Sequence, residues 1–327
     1  MKKTLNAGIV GTGFGSYVLL EALNQINFVK DKIILGRSKN KLENIKKKQQ
    51  VNKIFESEKK FLKEKLSLIC LATLPIKQFN LLKKIRKYKY TYYFLEKPLA
   101  NNLKNTKFIF NKFKNLKTRI AIDFIFLALN SFLKFKKLIK KKKINRIKIK
   151  WSFYAYHYKK NIKDSWKKNQ KYGGGIYYYY IIHSISYIHF LFGKIISVKK
   201  KKEFKDISGT AFAVKLELIL EGDIHLSLSF NSKSTKNIHS IEVCAQKNIY
   251  KLVNTSKDFV KNFKIFKLDK KSKVLCDDFS FKINQKIDSR VLPVKKLILK
   301  LLDKKPISNL DDALQATEDL QKILLKK

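Results

Sequence analysis

Residues Ala7 to Ser16 constrain the fold of this chain more than any other segment. A short apolar run, Ala7-Gly8-Ile9-Val10, leads directly into Gly11-Thr12-Gly13-Phe14-Gly15-Ser16. A helical pattern follows, with Leu19, Leu23 and Ile26 on one face, and Lys32-Ile33-Ile34-Leu35 then reads as a second strand. Strand, glycine turn, helix and strand in about 30 residues is the size of a βαβ unit. In Gly11-x-Gly13-x-x-Ser16 the first glycine permits a tight turn and the second lets backbone N–H groups approach a pyrophosphate. A small third residue, here Ser16, allows the helix to pack closely on the strand. The pyrophosphate of a dinucleotide would then lie on a helix N-terminus, so Gly11, Thr12, Gly13, Phe14 and Gly15 are candidate cofactor-binding residues.

The end of the second strand bears on which dinucleotide. A carboxylate there would bind the ribose 2′-hydroxyl of NAD, and a cation would accommodate the 2′-phosphate of NADP. The chain has Gly36-Arg37-Ser38-Lys39 and no carboxylate, so Arg37 and Ser38 point to NADP, with NAD still open.

Further strands follow the same plan. Leu66 to Ala72 reads as a buried parallel strand ending at Thr73-Leu74-Pro75, Tyr92-Tyr93-Phe94-Leu95 as another ending at Glu96-Lys97-Pro98, and Arg119 to Phe124 as a third. This predicts an α/β fold with an N-terminal doubly wound parallel sheet of Rossmann type over residues 1–121. Residues 122–327 read differently. Lys148 to Tyr158 alternates, Phe212 to Phe230 forms long strands about a Glu221-Gly222-Asp223 turn, and Ser240 to Cys244 and Ile249 to Val253 continue on either side of a turn at Lys247-Asn248. The expectation is a C-terminal α/β domain built on an open, mostly antiparallel sheet. The lysine runs Lys140 to Lys143 and Lys199 to Lys202 are expected to be solvated helix or loop edges.

Composition excludes several classes. Hydrophobic residues make up 45% of the 327, enough for packed cores and too many for a disordered chain. Cys70, Cys244 and Cys276 are scattered and show no metal-ligand spacing, which argues against a disulfide framework or zinc site and fits a reducing, cytoplasmic location. The longest stretch free of Lys, Arg, Asp and Glu, Tyr172 to Gly193, carries two histidines, two serines and many tyrosines, so no membrane span is expected.

The net charge is +48, yet only five of 73 cations are arginine and the lysines are spread evenly. With Asn, Ile, Phe and Tyr also abundant, compositional drift explains the excess better than a dedicated polyanion site. Any binding to nucleic acid is therefore expected to be indifferent to sequence and to collapse as salt rises, because it rests on counterion release. Sequence-selective binding that survives physiological salt in a titration would contradict this.

The order of motifs along the chain resembles the Gfo/Idh/MocA oxidoreductase family. The resemblance is carried by the glycine turn, Ala72-Thr73-Leu74-Pro75 with Gln78, Glu96-Lys97-Pro98, the passage from Ile122-Asp123-Phe124 to Leu138-Ile139 and Ser165-Trp166-Lys167. It continues through Gly173-Gly174-Gly175 with His183 and the tail from Ser289-Arg290-Val291 to Asp311-Asp312-Ala313. It implies hydride transfer between NADP or NAD and a sugar, cyclitol or nucleotide-sugar, and an open sheet used for homo-oligomer contacts. It implies Lys97 between nicotinamide and substrate, with Thr73, Leu74, Glu96, Pro98 and Trp166 at the cofactor and His183 at the substrate. A desolvated lysine near a positive ring has a lowered pKa, which suits proton transfer.

The chain departs from the pattern where many members carry aspartates, four residues before the histidine and three after it. It has Tyr179 and Ser186 there, and Tyr179 is a candidate replacement acid. No metal is implied. Two other functions stay open at this point, a non-catalytic dinucleotide- or sugar-binding member and a lysine-rich polyanion-associated protein.

Overall fold

The computed structural model describes residues 3–86, 89–158, 165–246, 248–268, 273–277 and 287–326. The turn expected at Lys247 and the side chain of Cys276 lie outside the described residues. The chain divides into two compact units, one of residues 1–128 with 286–314 and the other of residues 129–285 with 315–327. The first unit thus extends past residue 121, where the sequence reading ended it, and takes in a C-terminal segment that the reading gave to the second domain.

The first unit holds a six-stranded sheet of β1 (Leu5–Val10), β2 (Val29–Leu35), β3 (Lys53–Phe55), β4 (Leu68–Leu71), β5 (Tyr92–Leu95) and β6 (Ile120–Ile122). Their order is β3-β2-β1-β4-β5-β6, and every pairing is parallel. This is the doubly wound order, with the strand order reversing at β1 and β4. Covered on both faces, β4 has no solvent exposure at any of its four residues, which is why its sequence reads as an unbroken apolar run.

A π-helical turn (Gly15–Leu19) opens into α1 (Leu20–Asn24) after β1, α2 (Lys39–Lys48) follows β2, and α3 (Glu58–Phe61) follows β3. Beyond β4 and β5 come α4 (Pro75–Lys84) and α5 (Leu103–Phe113). The C-terminal segment belongs to this unit because it completes its core. Leu297, Ile298 and Leu301 are fully buried on a helix at Val291–Leu302 that packs on α1 and β5. Ser308 then pairs with the β6 edge, its hydroxyl donating to the Ile122 carbonyl at 2.5 Å and its own carbonyl accepting from the Ile122 N–H at 3.2 Å.

The second unit opens with α6 (Asn130–Ile139) and contains an eight-stranded sheet. Its strands are β7 (Ile144–Tyr154), β8 (Ile195–Lys205), β9 (Ala211–Leu220), β10 (Ile224–Asn231), β11 (Lys233–Ala245), β12 (Asn248–Asn254), β13 (Lys264–Leu268) and β14 (Lys273–Asp277). The order is β14-β13-β12-β11-β7-β10-β9-β8, antiparallel except for β7 with β10. One face is apolar, with Ile147, Ile149 and Trp151 of β7 beside Leu226, Leu228 and Phe230 of β10, all buried. The opposite face is polar. Lys200, Glu217, Ser227, Lys148, Glu242 and Lys251 stand in register across six strands.

Between β7 and β8 lies α7 (Ile182–Phe192). The final two helices are α8 (Val291–Leu302) and α9 (Leu310–Leu325), and α9 contributes its residues from Gln315 onward to the second unit. One expectation is corrected here. Lys199 to Lys202 are neither helix nor loop but part of β8, the edge strand, where Lys199, Lys200 and Lys202 are exposed and lysines disfavour further pairing. Among the described residues, no helix is long and apolar enough to cross a membrane.

Candidate active site

The carboxyl ends of β1, β2, β4 and β5 bring most of the sequence-selected residues into one unit. Gly11 sits directly after β1 with a φ of +119°, and a Cβ there would lie 2.2 Å from the Ala72 carbonyl oxygen. Only glycine fits such a backbone this close to the end of β4. Gly13 is the opposite case. A Cβ built on it meets no atom within 4 Å, so space is open over the loop at the start of the Gly15 helical turn. Ser16, 1% exposed, donates its hydroxyl to the Thr12 carbonyl at 2.8 Å and to that of Gly13 at 3.1 Å. It therefore closes the loop on itself where a third glycine would only have left room. The open space over Gly13 and the N-terminal N–H groups suit the diphosphate of a dinucleotide.

Arg37 and Ser38 follow β2 and are exposed. Ser38 also caps α2, its hydroxyl accepting from the Lys41 N–H at 3.4 Å. Thr73 and Leu74 follow β4, with Leu74 at the N-cap of α4 and Pro75 at its first position. Glu96, Lys97 and Pro98 follow β5, and the Lys97–Pro98 peptide is cis.

This turn is held from beneath by Gln78, which is fully buried on α4. Its Nε2 donates to the carbonyls of Glu96, Pro98 and Leu99 at 2.7, 3.3 and 3.1 Å. The Lys97 N–H donates to Glu96 Oε2 at 3.1 Å, and Lys97 itself is half-buried.

Two residues with no role expected from sequence stand here as well. Asp123, 4% exposed after β6, is hydrogen-bonded to Glu96. Burial, reinforced by the Glu96 charge, raises the Asp123 carboxyl well above the usual carboxylate range, and burial raises Glu96 too. Arg290, just before α8, places its guanidinium 5.2 Å from the centre of the Phe14 ring. A two-pronged pairing with Asp288, at 2.9 and 2.7 Å, fixes the fork. Neither residue had a local signal, since both arrive through long-range strand and helix placement.

The second unit gathers Trp166, Tyr179 and His183. Gly174 explains why Ser165-Trp166-Lys167 and the glycine triplet occur together, because a Cβ on it would lie 2.2 Å from the Trp166 carbonyl oxygen. The Trp166 and Tyr179 rings meet edge to face at 5.7 Å, and Lys167 Nζ lies 5.2 Å from the centre of the Tyr179 ring. Tyr179 belongs to a π-helical turn (Tyr177–Ile181) that runs into α7, a distortion common at functional sites.

His183, 8% exposed, stands on the first turn of α7. Ser186 does not take over the missing carboxylate, for its hydroxyl donates to the His183 carbonyl at 2.8 Å. A histidine passed over in sequence belongs to this cluster. His157 is buried, its ring lies 6.5 Å from Tyr179, and burial with Lys167 and Lys168 nearby lowers its pKa to about 4. A cavity of about 710 Å³ is lined by Trp166, Tyr172, Tyr177, Glu203 and Thr210 among others, but not by Tyr179 or His183.

A family described as an oxidoreductase family with an NAD-binding Rossmann fold matches residues 5–124, and the Gfo/Idh/MocA C-terminal domain matches residues 132–250. The chain belongs to the Gfo/Idh/MocA oxidoreductase family. Its first unit carries that family's NAD-binding domain, so a nicotinamide dinucleotide is the cofactor class.

Solved structures agree on the fold. Levoglucosan dehydrogenase in complex with NADH and L-sorbose aligns at 11% identity and a TM-score of 0.81, over 99% of this chain and 96% of that one. A super-repressor mutant of Gal80p from Saccharomyces cerevisiae aligns at 16% and 0.80, over 98% and 95%. Aldose-aldose oxidoreductase from Caulobacter crescentus aligns at 13% and 0.78, over 98% and 97%. The search of curated proteins yields no match.

Proposed function

We propose that this Gfo/Idh/MocA protein is an NAD(P)-dependent dehydrogenase or reductase acting on the CH–OH group of a sugar, cyclitol or nucleotide-sugar. The observation that carries this reading is the placement of the Gly11–Ser16 loop and Lys97 at the carboxyl ends of β1 and β5 in one sheet, with open space over Gly13. The sugar-active dehydrogenases among the similar structures support the substrate class. Gly11 to Gly15, Arg37, Ser38, Thr73, Leu74, Glu96, Pro98 and Trp166 would hold the cofactor, which supplies or accepts the hydride when bound. Lys97 moves the proton of the substrate hydroxyl, since a lysine on a half-buried turn can give a proton as the ammonium, or take one as the free amine, as charge develops on that oxygen. His183 and Tyr179 are assigned to the substrate hydroxyls.

Screening hexoses, cyclitols and nucleotide-sugars for a change in NAD(P)H absorbance tests the reading. A second reading is favoured by Tyr179 and Ser186 standing where carboxylates are usual, and by the likeness to Gal80p, described as a transcriptional regulator in Kluyveromyces lactis. On it, the protein binds dinucleotide without turnover.

Arg37 makes a separate prediction. NADP(H) should bind at least as tightly as NAD(H), because a guanidinium pairs bidentately with a phosphate. Arg37→Ala should weaken NADP(H) by at least about tenfold, the loss of one charge-assisted pair, and leave NAD(H) nearly unaffected. Calorimetry showing a strong NAD(H) preference that Arg37→Ala does not alter would contradict the assignment.

A further inference from the structure

The group beneath Lys97 is more elaborate than a lysine on a turn requires. β5 and β6 are parallel neighbours with Leu95 opposite Ile122, so the next residue of each strand, Glu96 and Asp123, emerges at the same level of the sheet. Backbone bonds anchor both, with the Glu96 N–H donating to the Leu71 carbonyl at 3.0 Å and the Asp123 N–H to the Leu95 carbonyl at 2.8 Å. Their carboxyls are hydrogen-bonded to each other. Two carboxyl groups can share a hydrogen bond only when one of them carries a proton. Asp123 Oδ1 is buried without a hydrogen-bond partner, so no hydrogen bond stabilises a charge on that oxygen. Glu96, by contrast, accepts from the Lys97 N–H. The proton therefore resides on Asp123 and the charge on Glu96.

We propose that Asp123 is a positioning residue for Lys97, holding one proton between its own carboxyl and that of Glu96 and so presenting Lys97 with a single, fixed negative charge. Glu96, pinned by Asp123, grips the peptide N–H of Lys97, and Gln78 grips the carbonyls of Glu96, Pro98 and Leu99. The start of the lysine side chain is thus clamped from both sides. The charged groups facing the pair are Lys97 beside it and Arg290 from the segment before α8, with Arg290 itself held by Asp288. Two ionised carboxylates would trap the ammonium, and none would leave it unanchored. One charge holds it while leaving its proton transferable. The inference rests on the reading of Lys97 as the proton-transfer group.

The test uses the full-length, cofactor-free protein. At pH 8, where ordinary carboxylates are ionised, the infrared spectrum should contain a protonated-carboxyl C=O band that is sensitive to D2O and absent from Asp123→Asn. In parallel, peptide-resolved acetylation by acetic anhydride reports the reactivity of Lys97. Asp123→Asn keeps a neutral donor to Glu96 and should hold Lys97 reactivity within about twofold. Asp123→Ala exposes Lys97 to an unshared carboxylate and should lower its reactivity at least about threefold.

Absence of the band in the native protein, or native Lys97 reactivity in Asp123→Ala, would overturn the proposal. The band needs no alanine variant to fold. Neither readout needs a substrate, whereas turnover of Lys97→Met bears on the functional reading alone, so the two failures are separable.

Discussion

Replacing Lys97 by methionine should lower turnover by at least about 100-fold, the lower end of what general acid–base assistance contributes. Methionine keeps the length and much of the apolar stem but has no proton to move and no charge to polarise the substrate oxygen. Dinucleotide affinity should change far less, because the diphosphate is assigned to the Gly11–Ser16 loop, which follows a different strand from the lysine. Single-turnover rates with whichever substrate class responds, alongside calorimetry with NADPH and NADH, check both halves. Near-normal turnover in Lys97→Met would remove the lysine from the mechanism.

The glycine loop yields the second large effect, in the form of a contrast. Gly11→Ala forces an L side chain into a φ of +119° and drives its Cβ to 2.2 Å from a backbone oxygen, where nothing flexible can give way. It should reduce folding stability by at least about 2 kcal/mol and take dinucleotide binding down with it. Gly13→Ala adds the same methyl to open space. Its stability should stay within about 0.5 kcal/mol of the native protein, as for an unobstructed surface change. Its affinity for dinucleotide should nevertheless fall at least about tenfold, because the methyl occupies the room that a diphosphate needs to reach backbone N–H groups. Denaturant unfolding and calorimetry on the two variants separate fold from ligand. Unchanged affinity in Gly13→Ala would show that the diphosphate lies elsewhere.

The parallel sheet was legible because burial on both faces leaves its central strands β4 and β5 no charged positions. Leu68–Leu71 could be read as a strand from its apolar run alone, and Glu96-Lys97-Pro98 from its place at the end of another. β3, at the opposite edge of that sheet, is three residues long with half-exposed side chains and carries no such signal. β8 was missed for a related reason. An edge strand needs no apolar run, and Val198 to Lys205 spends its outward positions on lysine.

The site divides in the same way. Residues adjacent in sequence, such as the glycine loop and the Glu96-Lys97-Pro98 turn, announce themselves. The Asp123–Glu96 pair depends on β5 lying beside β6 after a helix has intervened, and the Arg290–Phe14 contact on α8 returning to the first unit. Such juxtapositions are made by tertiary packing, and no local pattern encodes them. The role of Ser186 was equally invisible. Only the geometry shows its hydroxyl turned back onto the His183 carbonyl.

Hydride transfer between a nicotinamide dinucleotide and a sugar-like carbon, with Lys97 as the proton carrier, is the chemistry proposed for this chain. The measurement that reaches it most directly is a single-turnover reaction with NADPH or NADH deuterated at C4, mixed with the carbonyl forms of hexoses, cyclitols and nucleotide-sugars and read by mass spectrometry of the product alcohol. The account predicts one deuterium in the alcohol of at least one class, at a rate that Lys97→Met lowers at least about 100-fold. Tight dinucleotide binding with no deuterium transferred in any class would contradict it and leave a dinucleotide-binding protein without turnover.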